Sequence, residues 1–476
     1  MVVIIGDDHA AYAVGAYGND RIRTPNIDRM AERGIRFMRA YANAPLCSAS
    51  RQSILTGRYP HAAGVTLLRT SFPEEQVTIA EHLQQRGFRT AVVGKTHFNN
   101  AGSHGFDTLA GRSQWRNYLE ANPPAPIPDS IATYGEWRPF RDPARIWLNA
   151  AALPLPFRDE DMEDTFYART AAEFIEANQD ERFCLWVGFH NPHSPFNFPI
   201  EFRDKYLPEN MPLPEGSPED DRWVPQVFKD LSEEEKRGII AAYYTSVEHM
   251  DKNVGIILDK IDALGLDGNT MVIYIGDQGY LLGHHKRFEK HMMWEEAIRS
   301  PLVIQAGGHY GRNRSSDALT EFIDLTPTLL EALAVDPLPS VQGKSLMPVL
   351  SGKTETHKDL VFSEFLVDNK AMVRNDRWKY IFTTGKRDLG QGYETGNPPP
   401  GITHRLYDLK TDPNETTNVA GEAESQEVLT GLQQAMVKLF RETYPGADTI
   451  PANLSLEEQL VRFCVPPDEG AMIEAK

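Results

Sequence analysis

The chain has 476 residues, 41% of them hydrophobic and 24% charged, with a formal net charge of −18. That length supports a large core and two packed units. The acidic balance excludes generic nucleic-acid binding, which needs a basic face, and no window approaches the apolar run needed to span a bilayer.

The apolar run 2–5 reads as a strand buried on both faces. No signal peptide precedes it, so the chain as written is expected to be cytoplasmic, or periplasmic or secreted if a leader was trimmed ahead of Met1. A turn and helix start follow at 24–31, a helix at 78–86 stopped by Gly87, and a strand at 90–93. Further buried strands are expected at 183–189, 271–275 and 301–305, with a helix at 324–333. Strands alternating with helices predict an α/β fold with a large, mainly parallel sheet flanked by helices. The stretches 122–157 and 196–225, rich in proline and aromatics, read as irregular excursions that shape a pocket. From about residue 360 the texture becomes short alternating strands (371–374, 379–382, 405–409), a strong turn at 411–415 and a helix at 426–443. This divides the chain into a catalytic unit, 1–360, and a smaller C-terminal unit, 361–476, with an antiparallel sheet plus helix.

Several strand ends carry chemistry. Ligands of open parallel sheets bind beyond the carboxyl ends of strands, and Asp7-Asp8 directly follows the first strand. Alone the pair reads equally as a solvated turn, but Asp277-Gln278 repeats it after the 271–275 strand. Three carboxylates and one amide carbonyl are hard oxygen donors, which suit Ca²⁺, then Mg²⁺, over Zn²⁺. The three cysteines cannot all pair. Cys184 lies in an apolar run and reads as buried and inert, and Cys464 has no partner suggested by spacing. Cys47 is left as a thiol with another purpose, although residue type alone would make it a structural thiol. Lys95-Thr96-His97 and His190-Asn191-Pro192-His193-Ser194-Pro195 each follow a strand; the first alone is more often a solvated loop, and His190 reads at least as well as a satisfied structural histidine as a second pocket residue.

Cys47-Ser48-Ala49-Ser50-Arg51, continued by Leu55-Thr56-Gly57-Arg58-Tyr59-Pro60, resembles the Cys-x-Pro-x-Arg or Cys-x-Ala-x-Arg signature of the formylglycine-dependent sulfatases, members of the alkaline-phosphatase-like superfamily. The resemblance runs over nearly the whole chain. It implies oxidation of Cys47 to formylglycine by a maturation enzyme, and the alanine at the motif's centre bears on which maturation enzyme accepts it. The hydrated aldehyde would supply the nucleophilic hydroxyl, activated by the metal at Asp7, Asp8, Asp277, Gln278 and residue 47 itself. Its second hydroxyl would later lose a proton and expel sulfate by carbon–oxygen cleavage. By the same resemblance Lys95 stabilises the oxygens of residue 47 or the sulfate, His97 takes the proton from the second hydroxyl, and His193 protonates the leaving group. Arg51 holds the rebuilt residue 47, and Lys290, ahead of Glu295-Glu296-Ala297-Ile298-Arg299-Ser300-Pro301-Leu302, binds sulfate oxygens and supports the leaving group, Lys286 being the weaker candidate. These cations would supply the local positive field that an acidic chain otherwise lacks.

The implied reaction is hydrolysis of a sulfate monoester on a sulfated small molecule or glycan. "GFHNPHSPF" and "GYLLGHH" are similar to stretches of carbohydrate sulfatases, including iduronate-sulfatase-like members; aryl or choline sulfate are the other substrate classes. Two alternatives stand beside it. One is a phosphonate monoester or phosphodiester hydrolase of the same superfamily, in which the position of Gln278 is usually histidine. The other is a non-catalytic anion-binding homologue, against which the complete residue set argues.

Overall fold

The computed structural model describes residues 1–133, 148–307, 309–384 and 401–471; the middle of the 122–157 excursion therefore lies outside the described residues. The apolar runs become the inner strands of an eight-stranded sheet. Its order is Thr108–Ala110, Arg89–Gly94, Phe183–Gly188, Val2–Gly6, Met271–Gly276, Leu302–Ala306, Ile35–Phe37 and Arg314–Ser316. The first five run parallel. The expected strand at 301–305 pairs antiparallel to Met271–Gly276. The chain returns there through a loop rather than a crossover helix, and only a crossover would make the pair parallel.

Alternate residues feed two cores, as a period of two requires. Val2, Ile4, Leu185, Val187, Val272 and Tyr274 face one side, with Met30, Ala168, Met250 and Val254 from the helices Pro25–Arg33, Glu163–Ala177 and Glu233–Ala263. Val3, Ile5, Trp186, Ile273 and Ile275 face the other, with Ile54, Leu83 and Leu329 from the helices Cys47–Thr56, Ile79–Gln84 and Leu325–Ala332.

Four central strands end in glycine, and the ends are in register: Gly94 opposite Gly188, and Gly6 opposite Gly276. A side chain is excluded at this edge because main chain crosses it. A Cβ at Gly188 would lie 2.2 Å from the Lys95 carbonyl oxygen and 2.9 Å from Arg51 Nη1. The glycines thus let four loops converge at the carboxyl end of the sheet.

The strands Val361–Phe365, Lys370–Arg374, Trp378–Thr383 and Thr403–Asp408 form an antiparallel meander. One face is covered by the helix Gln426–Thr443. On the other, Met372 and Ile381 pack with Leu46, Ala49, Met293 and Ile298, directly behind the Cys47 helix.

Glu295 rivets this joint. It accepts from Tyr41 Oη (2.8 Å) and pairs with Arg374 (3.0 Å) and Lys379 (3.3 Å). Burial alone would raise its carboxyl, but Arg374 and Lys379 hold it down to about 2, from an ordinary 4.5. Because the folded value lies below the unfolded one, the pairing contributes stability above the unfolded pKa that is lost as pH falls toward the folded one. Glu295→Gln is expected to cost about 3 kcal/mol at pH 7. Urea unfolding should also show the variant losing stability less steeply than the parent between about pH 5 and 3; parallel slopes would contradict this.

Candidate active site

Asp7 and Asp8 leave the strand at Gly6. The Asp7 N–H donates to the Asn191 carbonyl (3.1 Å), and the Asp8 N–H donates to Asp277 Oδ1 (2.9 Å). The Asp277 N–H in turn donates to the Gly6 carbonyl (2.9 Å). The two acidic strand ends are therefore laced to each other and to the loop after Gly188. From the helical layer, Tyr243 Oη donates to the Asp8 carbonyl (2.6 Å).

Cys47 is the first residue of the helix Cys47–Thr56, all ten residues of which are buried. Arg51 lies one turn on, on the same face. Its Nε donates to Asp277 Oδ2 (2.7 Å), Nη1 donates to the Lys95 carbonyl (2.8 Å), and Nη2 is buried without a hydrogen-bond partner, 3.9 Å from Asp7 Oδ1. Ser50 Oγ ties the same helix to the Asp277 carbonyl (2.5 Å).

Cations crowd the thiol. Lys290 Nζ donates to Cys47 Sγ (2.8 Å) and to Asp8 Oδ1 (2.5 Å). Lys95 Nζ is ion-paired with Asp7 Oδ2. Burial and Asp7 push the Cys47 thiol up, but Lys290 and Lys95 outweigh them, and it lies below an ordinary thiol. Burial likewise opposes ionisation of Asp7, which Lys95, His193, Arg51 and Lys290 hold well below the usual carboxylate range. Asp277 goes the other way: burial and the nearby Asp7 charge raise it despite Arg51. A carboxylate under that pressure is one that a cation relieves.

The oxygens meet this need. Asp7 Oδ1, Asp8 Oδ2 and Gln278 Oε1 are buried acceptors without a hydrogen-bond partner. Gln278 Nε2 donates to Asp8 Oδ1 and to Cys47 Sγ (3.2 Å). A half-turn of the amide exchanges its oxygen and nitrogen and aims the oxygen at the same place. One ligand atom from each of Asp7, Asp8, Cys47 and His193 lies within 4.8 Å of the others. The free oxygens of Asp7, Asp8 and Gln278 fit a hard divalent cation, whereas both oxygens of Asp277 are engaged, by the Asp8 N–H and by Arg51.

Two histidines flank the cluster. His97 Nδ1 is buried without a hydrogen-bond partner, and burial and then Lys95 keep the ring well below its ordinary pKa, so it is neutral at neutral pH. His193 Nδ1 donates to the Ser194 carbonyl (2.7 Å), which leaves Nε2 3.7 Å from Asp8 Oδ2. Burial would lower His193, but Asp8 raises it.

All ten candidate residues thus lie at one edge of the sheet. Lys286 does not: it pairs with Asp221 (2.6 Å) at the surface. His285 is buried, stacked on Trp294 (4.0 Å between centroids) and bonded to Asp220 (2.9 Å). His284 packs at a tilt against Tyr12. Sequence reasoning passed over the residues that hold the site from behind, namely Asn191, Tyr243 and Asp164. Their signal is contact across the fold, which local pattern does not carry. All three cysteines are free and buried, and burial pushes Cys184 up to about 12, an inert thiol.

A mainly parallel sheet with carboxylates, lysines and a helix that begins at a buried thiol, all at its carboxyl edge, is an arrangement of the alkaline-phosphatase-like fold. Residues 1–335 match the sulfatase family, and residues 283–442 match the C-terminal region described as N-sulphoglucosamine sulphohydrolase, C-terminal. The chain belongs to the sulfatase family, whose members use a metal ion and formylglycine, and is a sulfuric ester hydrolase. It is 26% identical to an N-acetylglucosamine-6-O-sulfatase of Bacteroides thetaiotaomicron, over 94% of this chain and 87% of the relative. In fold it is similar to a phosphonate monoester hydrolase of Agrobacterium radiobacter, with TM-score 0.79, 22% identity and coverage of 93% and 95% of the two chains. It is also similar to an enzyme solved with its substrate D-glucosamine-2-N,6-O-disulfate, with TM-score 0.74, 23% identity and coverage of 96% and 99%.

Proposed function

We propose that this sulfatase acts on a sulfated carbohydrate, with residue 47 as formylglycine and one Ca²⁺ held by Asp7, Asp8, Asp277 and Gln278. The observation that carries the reading is the placing of Cys47 Sγ against Lys290 and Gln278 beside orphaned carboxylate oxygens. Formylglycine would supply an aldehyde hydrate, one hydroxyl attacking sulfur and the other later losing its proton so that sulfate departs. The cation, bound through three carboxylates and an amide oxygen, would act as a Lewis acid on the reacting oxygens.

The chain's own residues do the rest. Lys95, Lys290 and the unpartnered Arg51 Nη2 hold the sulfate oxygens and balance charge that develops on them. His193, its ring fixed through Nδ1, donates a proton from Nε2 to the departing sugar oxygen. His97, neutral, accepts the proton that releases sulfate. A glucosamine substrate is supported by the relative that is an N-acetylglucosamine-6-O-sulfatase, and Ca²⁺ by the amide at position 278.

The test compares kcat/KM of converted enzyme for glucosamine 6-sulfate, 4-nitrophenyl sulfate and a phenyl phosphonate monoester, with metal analysis of the same protein. Sulfate esters are expected to exceed the phosphonate by at least about 100-fold, with one Ca²⁺ per chain. A preference for the phosphonate, with Mn²⁺ or Zn²⁺ bound, would overturn the reading.

A further inference from the structure

Asp164 lies in the first turn of the helix Glu163–Ala177 and is 2% exposed. It faces the loop that carries His193. Oδ1 accepts the His190 N–H and Oδ2 the Asn191 N–H, each at 2.9 Å. Among the described residues no lysine or arginine is ion-paired with it, and burial pushes its carboxyl up to about 7. A buried carboxylate with two amide donors and no counter-ion is a costly way to hold a helix to a loop.

What the two amides hold accounts for it. The Asn191 carbonyl accepts the Asp7 N–H (3.1 Å), and the His190 carbonyl accepts the His193 N–H (2.9 Å). Clamping the 190 and 191 peptides therefore fixes the turn that carries the His193 ring, whereas Asp7 is also held by the paired strand Val2–Gly6 that it directly follows. Asn191 is braced a second time, through Nδ2 to the Asn197 carbonyl and to His249 Nδ1, both at 3.0 Å.

We propose that Asp164 is a positioning residue for sulfate-ester cleavage: its carboxylate, grasping the 190 and 191 amides, sets where His193 meets the leaving-group oxygen. The inference rests on the reading of His193 as leaving-group acid. Asp164→Asn keeps the shape but turns an NH₂ toward one of the two N–H donors, displacing the turn.

A positioning role predicts a defect that depends on the leaving group. A sugar alkoxide needs a proton as it departs, whereas 4-nitrophenolate does not. In converted, metal-loaded enzyme, Asp164→Asn is expected to lower kcat for glucosamine 6-sulfate by about 100-fold, while kcat for 4-nitrophenyl sulfate falls less than about 5-fold. KM should stay within about 3-fold for both. His193→Ala is the reference and should show the same selectivity, more strongly. If His193→Ala slows both substrates equally, the acid reading fails and the inference falls with it. If His193→Ala is selective but Asp164→Asn is not, the inference alone is overturned. Asp164→Ser, which keeps one acceptor, is the second variant, and failure of both variants to fold would assign Asp164 to stability alone and overturn the proposal.

Discussion

Cys47→Ala is expected to lower turnover of any sulfate ester by about 10⁴-fold or more, because alanine leaves no thiol to be oxidised to the aldehyde whose hydrate is the proposed nucleophile. The protein should otherwise persist. Cys47 is 1% exposed, and alanine keeps the first residue of a helix whose packing rests on Ala49, Ile54 and Leu55. Lys290 retains its contact with Asp8, so the cation-binding oxygens keep their neighbours. Thermal unfolding should therefore match the parent, and calcium should still bind through the remaining oxygen ligands, though more weakly for want of residue 47, while kcat collapses. Activity within about tenfold of the parent would show that residue 47 is not the nucleophile.

Asp277→Asn is expected to have the second-largest effect, for a different reason. One oxygen of Asp277 holds Arg51 and the other holds the Asp8 N–H. On the proposed reading, neutralising the side chain removes one of three carboxylates around the cation, and it breaks the 2.7 Å ion pair of buried Arg51, leaving it only Asp7 at 3.9 Å. Calcium affinity should fall by at least about 100-fold, as ligand charge is the main lever on such sites, and kcat by about 10³-fold. Loss of the buried ion pair adds a stability loss of about 3 kcal/mol. Calcium titration by calorimetry and urea unfolding separate the two. Unchanged calcium affinity would remove Asp277 from the ligand set.

The inner strands were legible because each is a short, uninterrupted apolar run closed by a functional motif, and both helical faces of the sheet leave such runs no alternation to hide. Their glycine ends were equally open to view and mark the same edge, since Gly6, Gly94, Gly188 and Gly276 all precede site residues. The direction of Leu302–Ala306 was not legible, because an apolar run looks the same in a parallel and an antiparallel pair. The Cys47–Thr56 helix carries no stripe: Ser48, Ser50, Gln52 and Ser53 are as buried as Ile54. The long helix Glu233–Ala263, from which Tyr243 reaches Asp8, was passed over although Ser232 and Glu235 form a capping box at its start. Lys286 and Lys290 are alike in local sequence, and only the tertiary path puts Lys290 on Cys47 and Lys286 on Asp221.

The most direct measurement is peptide mass spectrometry of the segment containing Cys47, on protein made with and without a formylglycine-generating enzyme, with activity assayed on the same samples. The account predicts a shift from thiol to aldehyde at residue 47 and sulfatase activity proportional to the converted fraction. Full activity in protein whose residue 47 is still cysteine would contradict it.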